Sequence, residues 1–194
     1  MTRTILFFGD SLTAGYGVGA ALAFPALLQA KLDAEVLPYR AINAGRSGDT
    51  SSSGRARLTE TLAPYPRPDV FVLELGANDG LRGHPPATTR ANLDAILTTV
   101  RHKHPAVRCL LLGMALPPLL GGPSAAAFAG VFGDVAAKHN CAFLPFLLDG
   151  ILLNPALTLA DHLHPNAAGQ RRMADVVWPV LRPMLLTEPP MSGL

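Results

Sequence analysis

The sequence predicts an α/β fold in which a parallel sheet is covered by helices on both faces. Short apolar runs of strand length, such as residues 4–8 and 70–75, alternate along the chain with longer segments that repeat apolar residues at helical spacing. The short runs are apolar throughout, which is typical of parallel strands buried on both faces. Repeats, low-complexity tracts and linkers are absent from the 194 residues, so we expect a single domain over residues 1–194.

The elements of the first half are set by apolar patterns and by two prolines. The helix over residues 21–32 tolerates Pro25 only near its first turn, because proline lacks the backbone donor that a helix interior needs. The strand over residues 36–42 contains Pro38, which cannot donate to a neighbouring strand, so we expect this strand at a sheet edge. The other elements predicted here are strands at 4–8 and 70–75 and a helix at 51–62.

The second half repeats the alternation of strand and helix. Apolar residues recur at helical spacing around residues 93–100 and 128–135. A last helix is predicted over residues 166–186, bent at Pro179 and ended near Pro183. Further strands are predicted at residues 109–116 and 141–144.

Three polar segments directly follow predicted strands, at residues 9–11, 45–49 and 76–79. The carboxyl ends of parallel strands meet at one edge of the sheet, and open α/β sheets bind their ligands at that edge. We therefore expect the three segments to line one cleft.

A serine, a histidine and an aspartate have the chemistry of a nucleophilic hydrolase. Ser11 ends the first strand and is the candidate nucleophile, with Ser47 as the alternative. His164 is the candidate base for the serine proton, and Asp161, three residues earlier, is the candidate group that orients it. His162 is a rival base, but it directly follows Asp161 and should point elsewhere. Each residue alone also fits a structural role, such as a helix cap or a surface ion pair.

Acyl transfer also needs hydrogen-bond donors for the negative oxygen that develops on the substrate carbonyl. Our candidates are the backbone amides of Ser11 and Gly48 and the side-chain amide of Asn78, which all follow strands at the expected edge. The Asn-Asp-Gly run at residues 78–80 is alternatively an ordinary turn. The interpretation therefore depends on several weak patterns that meet in one predicted cleft.

The composition limits the partners of the chain. Charged residues are 15% of the chain, and 16 basic against 14 acidic residues leave a net charge of +2, which does not favour nucleic acid as a partner. No run of 18 apolar residues is present, so we expect no membrane span. The apolar run at residues 5–8 is too short for a signal-peptide core, so we expect a cytoplasmic protein. The alternative is a periplasmic or secreted protein whose leader has been removed.

Four ordered blocks resemble the SGNH, or GDSL, hydrolase family. They are Gly-Asp-Ser-Leu at residues 9–12, the glycine Gly48, Gly-x-Asn-Asp at residues 76–79 and Asp-x-x-His-Pro at residues 161–165. A narrower likeness joins residues 44–58 and 74–83 to the bacterial thioesterase I/arylesterase branch of this family. The blocks span most of the chain, and their ordered set is far more specific than any one of them.

The resemblance implies a fold, a site and a substrate class. The fold is a three-layer α/β/α sandwich of the flavodoxin type with a central, mostly parallel five-stranded sheet. The site is a catalytic triad of Ser11, Asp161 and His164, with Ser11, Gly48 and Asn78 as the oxyanion hole. Family members hydrolyse carboxylic esters and thioesters, and some hydrolyse lysophospholipids. We therefore expect a small-molecule ester or thioester substrate, no cofactor and no metal ligand.

The acyl pocket is expected to be apolar. Its candidate lining residues are Leu116, Leu119 and Leu120, together with the loop at residues 147–153. The apolar run at residues 116–123 replaces a more polar stretch of the relatives, so their chain-length preference is not carried over to this chain. Leu119 and Leu120 are alternatively a contact with another subunit, although we expect a monomer.

Two other functions compete with the serine hydrolase. The first is a metallohydrolase in which His164 and the carboxylates of the cleft bind a hard cation. The second is a flavodoxin-like binding module that keeps the fold without the chemistry. No glycine-rich dinucleotide fingerprint follows the first strand, which argues against a nucleotide-binding version of such a module.

Overall fold

The central sheet has the strand order β2-β1-β3-β4-β5, and every neighbouring pair of strands is parallel. A computed structural model describes residues 2–65, 67–116 and 125–187 of the chain. The predicted α/β architecture with a five-stranded parallel sheet is confirmed. The strands are β1 (Arg3–Gly9), β2 (Tyr39–Asn43), β3 (Val70–Glu74), β4 (Arg108–Leu112) and β5 (Ala142–Leu144).

Helices cover the sheet in two outer layers. In one layer α2 packs against α7, and in the other α5 packs against both α3 and α6. Within the described ranges, no helix has both the length and the apolar character needed to cross a membrane. The helices are α1 (Ser11–Ala14), α2 (Phe24–Ala34), α3 (Ser51–Leu62), α4 (Ala77–Leu81), α5 (Pro86–Lys103), α6 (Ala125–Lys138) and α7 (Ala167–Leu186), with a 3-10 turn at Ala20–Leu22.

The core lies on both faces of the sheet because its central strands are apolar throughout. All of Ile5 to Phe8 in β1 and all of Val70 to Leu73 in β3 are fully buried. Burial of one such side chain contributes about 1.5–3 kcal/mol, so these two strands are a main source of the folding free energy.

Proline positions explain where two elements begin. Pro25 lies in the first turn of α2, as predicted. The edge strand β2 begins only at Tyr39, directly after Pro38, whereas the sequence predicted a start at Val36. Val36 has a φ of 54°, which is left-handed and incompatible with a strand, and this explains the later start.

The last helix ends at Leu186, as its predicted range did, but the predicted stop near Pro183 is wrong, because α7 continues through this residue. The Arg108 guanidinium donates to the carbonyls of Met184 and Thr187 at the carboxyl end of α7. Carbonyls at this end have no partner within the helix, so the contacts from β4 stabilise the extra turn. The β4 prediction was itself too long, since the strand ends at Leu112.

The sheet register brings the ends of β1 and β3 together at the point where the strand order reverses. Gly9 pairs with Glu74 there. A Cβ at position 9 would lie 2.1 Å from the Thr13 hydroxyl and 2.6 Å from a Glu74 carboxylate oxygen, so only glycine fits. Ligands of sheets with this strand order bind at such a switch point, and the candidate residues follow these two strands.

Candidate active site

A hydroxyl, an imidazole and a carboxylate form a chain of hydrogen bonds at this edge of the sheet. The Ser11 Oγ lies 3.1 Å from Nε2 of His164, although 153 positions separate the two residues. On the other side of the ring, His164 Nδ1 lies 2.6 Å from Asp161 Oδ2. The structure thus brings together the three residues that the sequence proposed as nucleophile, base and orienting acid.

Asp161 is built into a tight loop that fixes the imidazole next to it. Its Oδ1 accepts the backbone amides of Leu163 and His164, each at 2.9 Å, while Oδ2 faces the ring. Partial burial raises the pKa of the Asp161 carboxyl, but these hydrogen bonds outweigh it and bring the pKa to about 2. The carboxylate is therefore ionised at any pH where the protein would work, and it can stabilise a positive imidazole.

Ser11 lies in the first turn of the four-residue helix α1, directly after β1. The residue that caps this helix is Asp10, whose side chain accepts the Leu12 amide at 3.0 Å. The interpretation of Ser11 as a helix cap is therefore wrong. With the cap supplied by Asp10, the Ser11 hydroxyl is available to His164, and the Ser11 amide lies among the first-turn donors that have no partner within a helix.

Gly48 presents a backbone amide beside the same edge. Its φ of 87° is left-handed, a conformation that glycine adopts without strain. Within residues 2–65, 67–116 and 125–187, the Gly48 amide has no hydrogen-bond acceptor. The carbonyl of Gly48 accepts the Arg82 guanidinium at 3.1 Å. This contact holds the peptide group that follows Gly48, while the Gly48 amide, in the preceding peptide group, stays available for an acceptor.

Asn78 lies in the short helix α4, so the interpretation of residues 78–80 as an ordinary turn is wrong. Its side-chain nitrogen donates to the Asp49 carbonyl at 2.9 Å and to the Asp10 carboxylate at 3.3 Å. Both partners are acceptors, so the nitrogen of the Asn78 amide, and not its oxygen, faces Asp10, the residue before Ser11. To bind a substrate oxygen, Asn78 must exchange one of these bonds, and the longer bond to Asp10 is the weaker of the two.

Two buried acids lie behind the nucleophile. Glu74 accepts the Asp10 amide at 3.2 Å and the Thr13 hydroxyl at 2.8 Å, while its buried Oε1 has no partner among the described residues. Burial raises the pKa of Glu74 well above its ordinary value, and the Asp10 charge raises it further. Burial also raises the pKa of Asp10, to about 6. Of this pair, Glu74 is therefore the acid whose protonated form is favoured by both burial and the neighbouring charge.

An arginine joins the Gly48 segment to the first strand. Arg57 on α3 donates to the Asp49 carboxylate at 2.5 Å and to the Gly9 carbonyl at 2.9 Å. Its guanidinium also lies 4.1 Å from the centre of the Phe8 ring. Both charged side chains are nearly buried, with exposed fractions of 11% and 8%. Arg57 thereby fixes the distance between the segments that carry Gly48 and Ser11.

An apolar cavity of about 70 Å³ opens beside Ser11, Asn78 and His164. Leu116 lines this cavity, as predicted from the sequence. Leu119 and Leu120 lie outside the described residues. The remaining lining residues are Leu12, Ala77, Leu81, Met114, Ala115, Leu148, Leu152 and Leu163.

The alternative site residues lie elsewhere. Ser47 is exposed and lines an open polar groove together with Gly48. His162 is exposed in a left-handed conformation with a φ of 58°. The imidazole that contacts the Ser11 hydroxyl is that of His164.

Two of the carboxylates considered for a metallohydrolase each bind a different protein partner. Asp49 pairs with Arg57, and Asp79 accepts the amide and the hydroxyl of Ser51 at 2.7 and 2.5 Å. In the part of the chain that the structure describes, no three histidine, cysteine, aspartate or glutamate side chains are grouped as a metal site.

Sequence reasoning missed three residues that contact the site, namely Glu74, Arg57 and Tyr16. Glu74 had a detectable signal, because it is a charged residue near the end of the apolar run at residues 70–75. Arg57 had no detectable signal in the sequence, since its contacts with Asp49 and Gly9 exist only after the chain folds. Tyr16 follows Gly15 in the nucleophile segment and contacts the imidazole of His164.

An α/β/α sandwich that aligns a hydroxyl, an imidazole and a carboxylate at the carboxyl edge of its sheet has the architecture of a serine hydrolase. The profile of the GDSL-like Lipase/Acylhydrolase family matches residues 7–172. The chain belongs to this family, and it is an enzyme of the carboxylic ester hydrolase class. The family predicted from the four sequence blocks is confirmed.

Named relatives place the chain within the family. It is 42% identical over 183 residues to Esterase TesA of Pseudomonas aeruginosa, covering 94% of this chain and 90% of the relative. It is 36% identical over 182 residues to Thioesterase 1/protease 1/lysophospholipase L1 of Escherichia coli K12, covering 94% and 85% of the two chains. A crystal structure of TesA superimposes with a TM-score of 0.88 at 42% identity and covers 94% of this chain and 99% of its own.

Proposed function

We propose that this chain is a serine esterase that hydrolyses carboxylic esters of small molecules through an acyl-enzyme on Ser11. The observation that carries the proposal is the hydrogen-bonded sequence of Ser11, His164 and Asp161, with heavy-atom distances of 3.1 and 2.6 Å. A serine hydroxyl is a weak nucleophile unless a neighbouring base takes its proton. The proposed functional unit is a single domain formed by the whole chain.

In the first step, Ser11 Oγ attacks the carbonyl carbon of the ester while its proton passes to Nε2 of His164. The carbonyl oxygen becomes an oxyanion, and the imidazole becomes positively charged next to the Asp161 carboxylate. The tetrahedral intermediate then collapses, the carbon–oxygen bond to the leaving group breaks, and His164 gives its proton to the departing alcohol. The acyl group remains on Ser11 as an ester.

In the second step, water takes the place of the serine hydroxyl. His164 accepts a proton from the water as its oxygen attacks the acyl carbon, and a second oxyanion forms. Collapse of this intermediate returns the proton from His164 to Ser11 Oγ and releases the carboxylic acid. A thioester passes through the same steps with a thiol as the leaving group, so acyl thioesters belong to the proposed substrate range.

The oxyanion is proposed to bind the amides of Ser11 and Gly48 and the side-chain amide of Asn78. The Gly48 amide has no acceptor among the described residues, which supports this role, because a donor without a partner gives up no hydrogen bond when it binds the oxyanion. One such donor is worth about a hundredfold to a thousandfold in kcat.

The proposed acyl site is the apolar cavity beside Ser11. Leu116, Leu148 and Leu152 line it, and they can bind an acyl chain only by burial. Each methylene that enters should add about 0.8 kcal/mol of binding until the cavity is full. The described apolar lining offers no polar anchor along the acyl chain, which favours short to medium acyl chains of low specificity. The name of the Escherichia coli relative makes lysophospholipids a further substrate class to test.

Hydrolysis of p-nitrophenyl esters tests the proposal, with two serine variants as a matched pair. Ser11→Ala should lower kcat by about 10⁴-fold or more, whereas Ser47→Ala, in the neighbouring segment, should leave it unchanged. A chelator should have no effect on either protein. Activity that survives Ser11→Ala but disappears with the chelator would instead support the metallohydrolase. A panel of esters from acetate to palmitate, with matched thioesters, measures the acyl preference.

A further inference from the structure

A half-exposed tyrosine ring lies against the imidazole of the proposed base. The ring centroids of Tyr16 and His164 are 4.5 Å apart, and the ring planes are inclined by 42°. Tyr16 is 50% exposed and is not one of the residues buried in the core. A half-exposed tyrosine buries less apolar surface than a tyrosine in the core, so it contributes less to folding. Its contact with the imidazole therefore suggests a role in the site.

The backbone ties this ring to the turn that carries the nucleophile. The carbonyl of Ser11 accepts both the Gly15 amide at 3.1 Å and the Tyr16 amide at 3.0 Å. Gly15 and Gly17, on the two sides of the tyrosine, have φ values of 77° and 75°, which glycine adopts without strain. The position of the Tyr16 ring is therefore set relative to Ser11 itself.

The loop that carries His164 contacts the same turn. The Leu159 amide donates to the His164 carbonyl at 2.8 Å, which closes the loop on itself. A Cβ at Gly17 would lie only 2.4 Å from a methyl carbon of Leu159, so the two segments are in close contact at this point. Asp161 and Ser11 lie within hydrogen-bond distance of the two ring nitrogens of the imidazole, while the Tyr16 ring contacts it at an inclined angle.

We propose that Tyr16 is a positioning residue that holds His164 in line between Asp161 and Ser11. The imidazole can swing about its Cα–Cβ and Cβ–Cγ bonds, and an aromatic ring packed against it restricts this motion. The electron-rich face of the tyrosine also favours the positively charged imidazole that forms during acyl transfer. The inference rests on the proposed function, since it concerns how the base of that reaction is held.

Tyr16 is not among the described residues that line the acyl cavity, so its loss should affect kcat and not KM. With p-nitrophenyl butyrate, Tyr16→Ala should lower kcat by about threefold to tenfold and leave KM within about twofold. Tyr16→Phe retains the ring and should restore most of kcat. Leu22→Ala is the matched control, because it removes another exposed apolar side chain of the same region and should change neither constant.

A double variant shows whether Tyr16 acts through the imidazole. Adding Tyr16→Ala to His164→Ala should cause no further loss, because the group that the ring positions is already gone. A further loss in the double variant, equal impairment by Tyr16→Phe and Tyr16→Ala, or an unchanged kcat in Tyr16→Ala would each overturn the inference. An unmodified protein without ester hydrolysis would overturn the proposed function and this inference together.

Discussion

The two halves of the proposed site are supported in different ways. The proposed oxyanion half, Ser11, Gly48 and Asn78, rests on buried polar groups such as Asp10, Asp49 and Glu74, all at most 6% exposed. The acid–base half, formed by Asp161 and His164, lies at the surface, with 38% and 27% of the two side chains exposed.

The hydrogen bonds that support the two halves also differ in how far apart their residues lie along the sequence. Hydrogen bonds of the oxyanion half join residues far apart in sequence, as between Asn78 and Asp10 or Arg57 and Gly9. Those around Asp161 join neighbours within three residues. Substitutions in the buried half should therefore lower both stability and activity, and substitutions in the exposed half should lower activity alone.

Of the variants that compare the two halves, Asp161→Asn should lose the most activity while its stability changes little. The asparagine oxygen can still accept the two loop amides, but its nitrogen would donate to Nδ1 of His164 and force the wrong tautomer. We expect kcat to fall by about 10³- to 10⁴-fold and the unfolding temperature to change by less than about 4 °C. Asp149→Asn, at an exposed acid before the same loop, is the control and should retain full activity.

Asn78→Ala should affect both properties, as expected for the buried half. Loss of the oxyanion donor should lower kcat by about a hundredfold to a thousandfold, equivalent to about 3–4 kcal/mol. Loss of the bonds to Asp10 and Asp49 should also lower the free energy of unfolding, by about 1–2 kcal/mol. Ester kinetics and urea unfolding measure the two effects, and near-normal turnover would contradict the proposed role of Asn78.

Arg57→Met should mainly lower stability. It leaves the nearly buried Asp49 carboxylate without its partner, which costs about 3–5 kcal/mol for a buried ion pair. Arg55→Met, two residues earlier on the same helix, removes an exposed arginine with one 3.3 Å bond to Asn92 and should cost less than about 1 kcal/mol. Equal losses in the two variants would show that Arg57 is not the link between the segments of the oxyanion half.

Glu74→Gln should change how stability depends on pH, with a smaller effect than the stability loss expected for Arg57→Met. The raised pKa values mean that the folded chain keeps protons on Glu74 and Asp10 at pH values where unfolded carboxyls, near pH 4, have lost them. Because the unfolded state then binds fewer protons at these two positions, the contribution of this pair to the free energy of unfolding falls as pH rises above about 4.

Glutamine has the shape of the protonated acid and does not ionise. Relative to the unmodified protein, Glu74→Gln should therefore gain stability as pH rises from about 5 to about 8. Urea unfolding at the two pH values measures this shift. Glu60→Gln, at an exposed acid on α3, should show no such shift, and parallel curves for the two variants would contradict the assignment of the proton to Glu74.

Much of the fold was predictable because local patterns determine it. The uniformly apolar runs of β1 and β3 follow from their burial on both faces, and Pro38 fixed the edge strand. The carboxyl end of α7 was not predictable from Pro183, because contacts from Arg108 on a distant strand stabilise the last turn. Local rules therefore located most elements but not their exact ends.

The site residues likewise fall into those that local motifs predicted and those that depend on tertiary contacts. Ser11, Asp161 and His164 were found because their residue types and order along the chain carry the chemistry. The supporting contacts of Arg57 and Tyr16 were missed, since each depends on two segments that meet only in the folded chain. Motifs thus identified the proposed reacting groups, and only the fold showed which residues contact and support them.

Covalent labelling with a fluorophosphonate tests the central claim most directly, since this reagent reacts with an activated serine. The proposal predicts one adduct per chain, located on Ser11 by peptide mass spectrometry, with ester hydrolysis lost in proportion to labelling. Labelling should be absent in Ser11→Ala and strongly slowed in His164→Ala. An adduct on Ser47, or full hydrolysis in a chain fully labelled at Ser11, would contradict the assignment of Ser11 as the nucleophile.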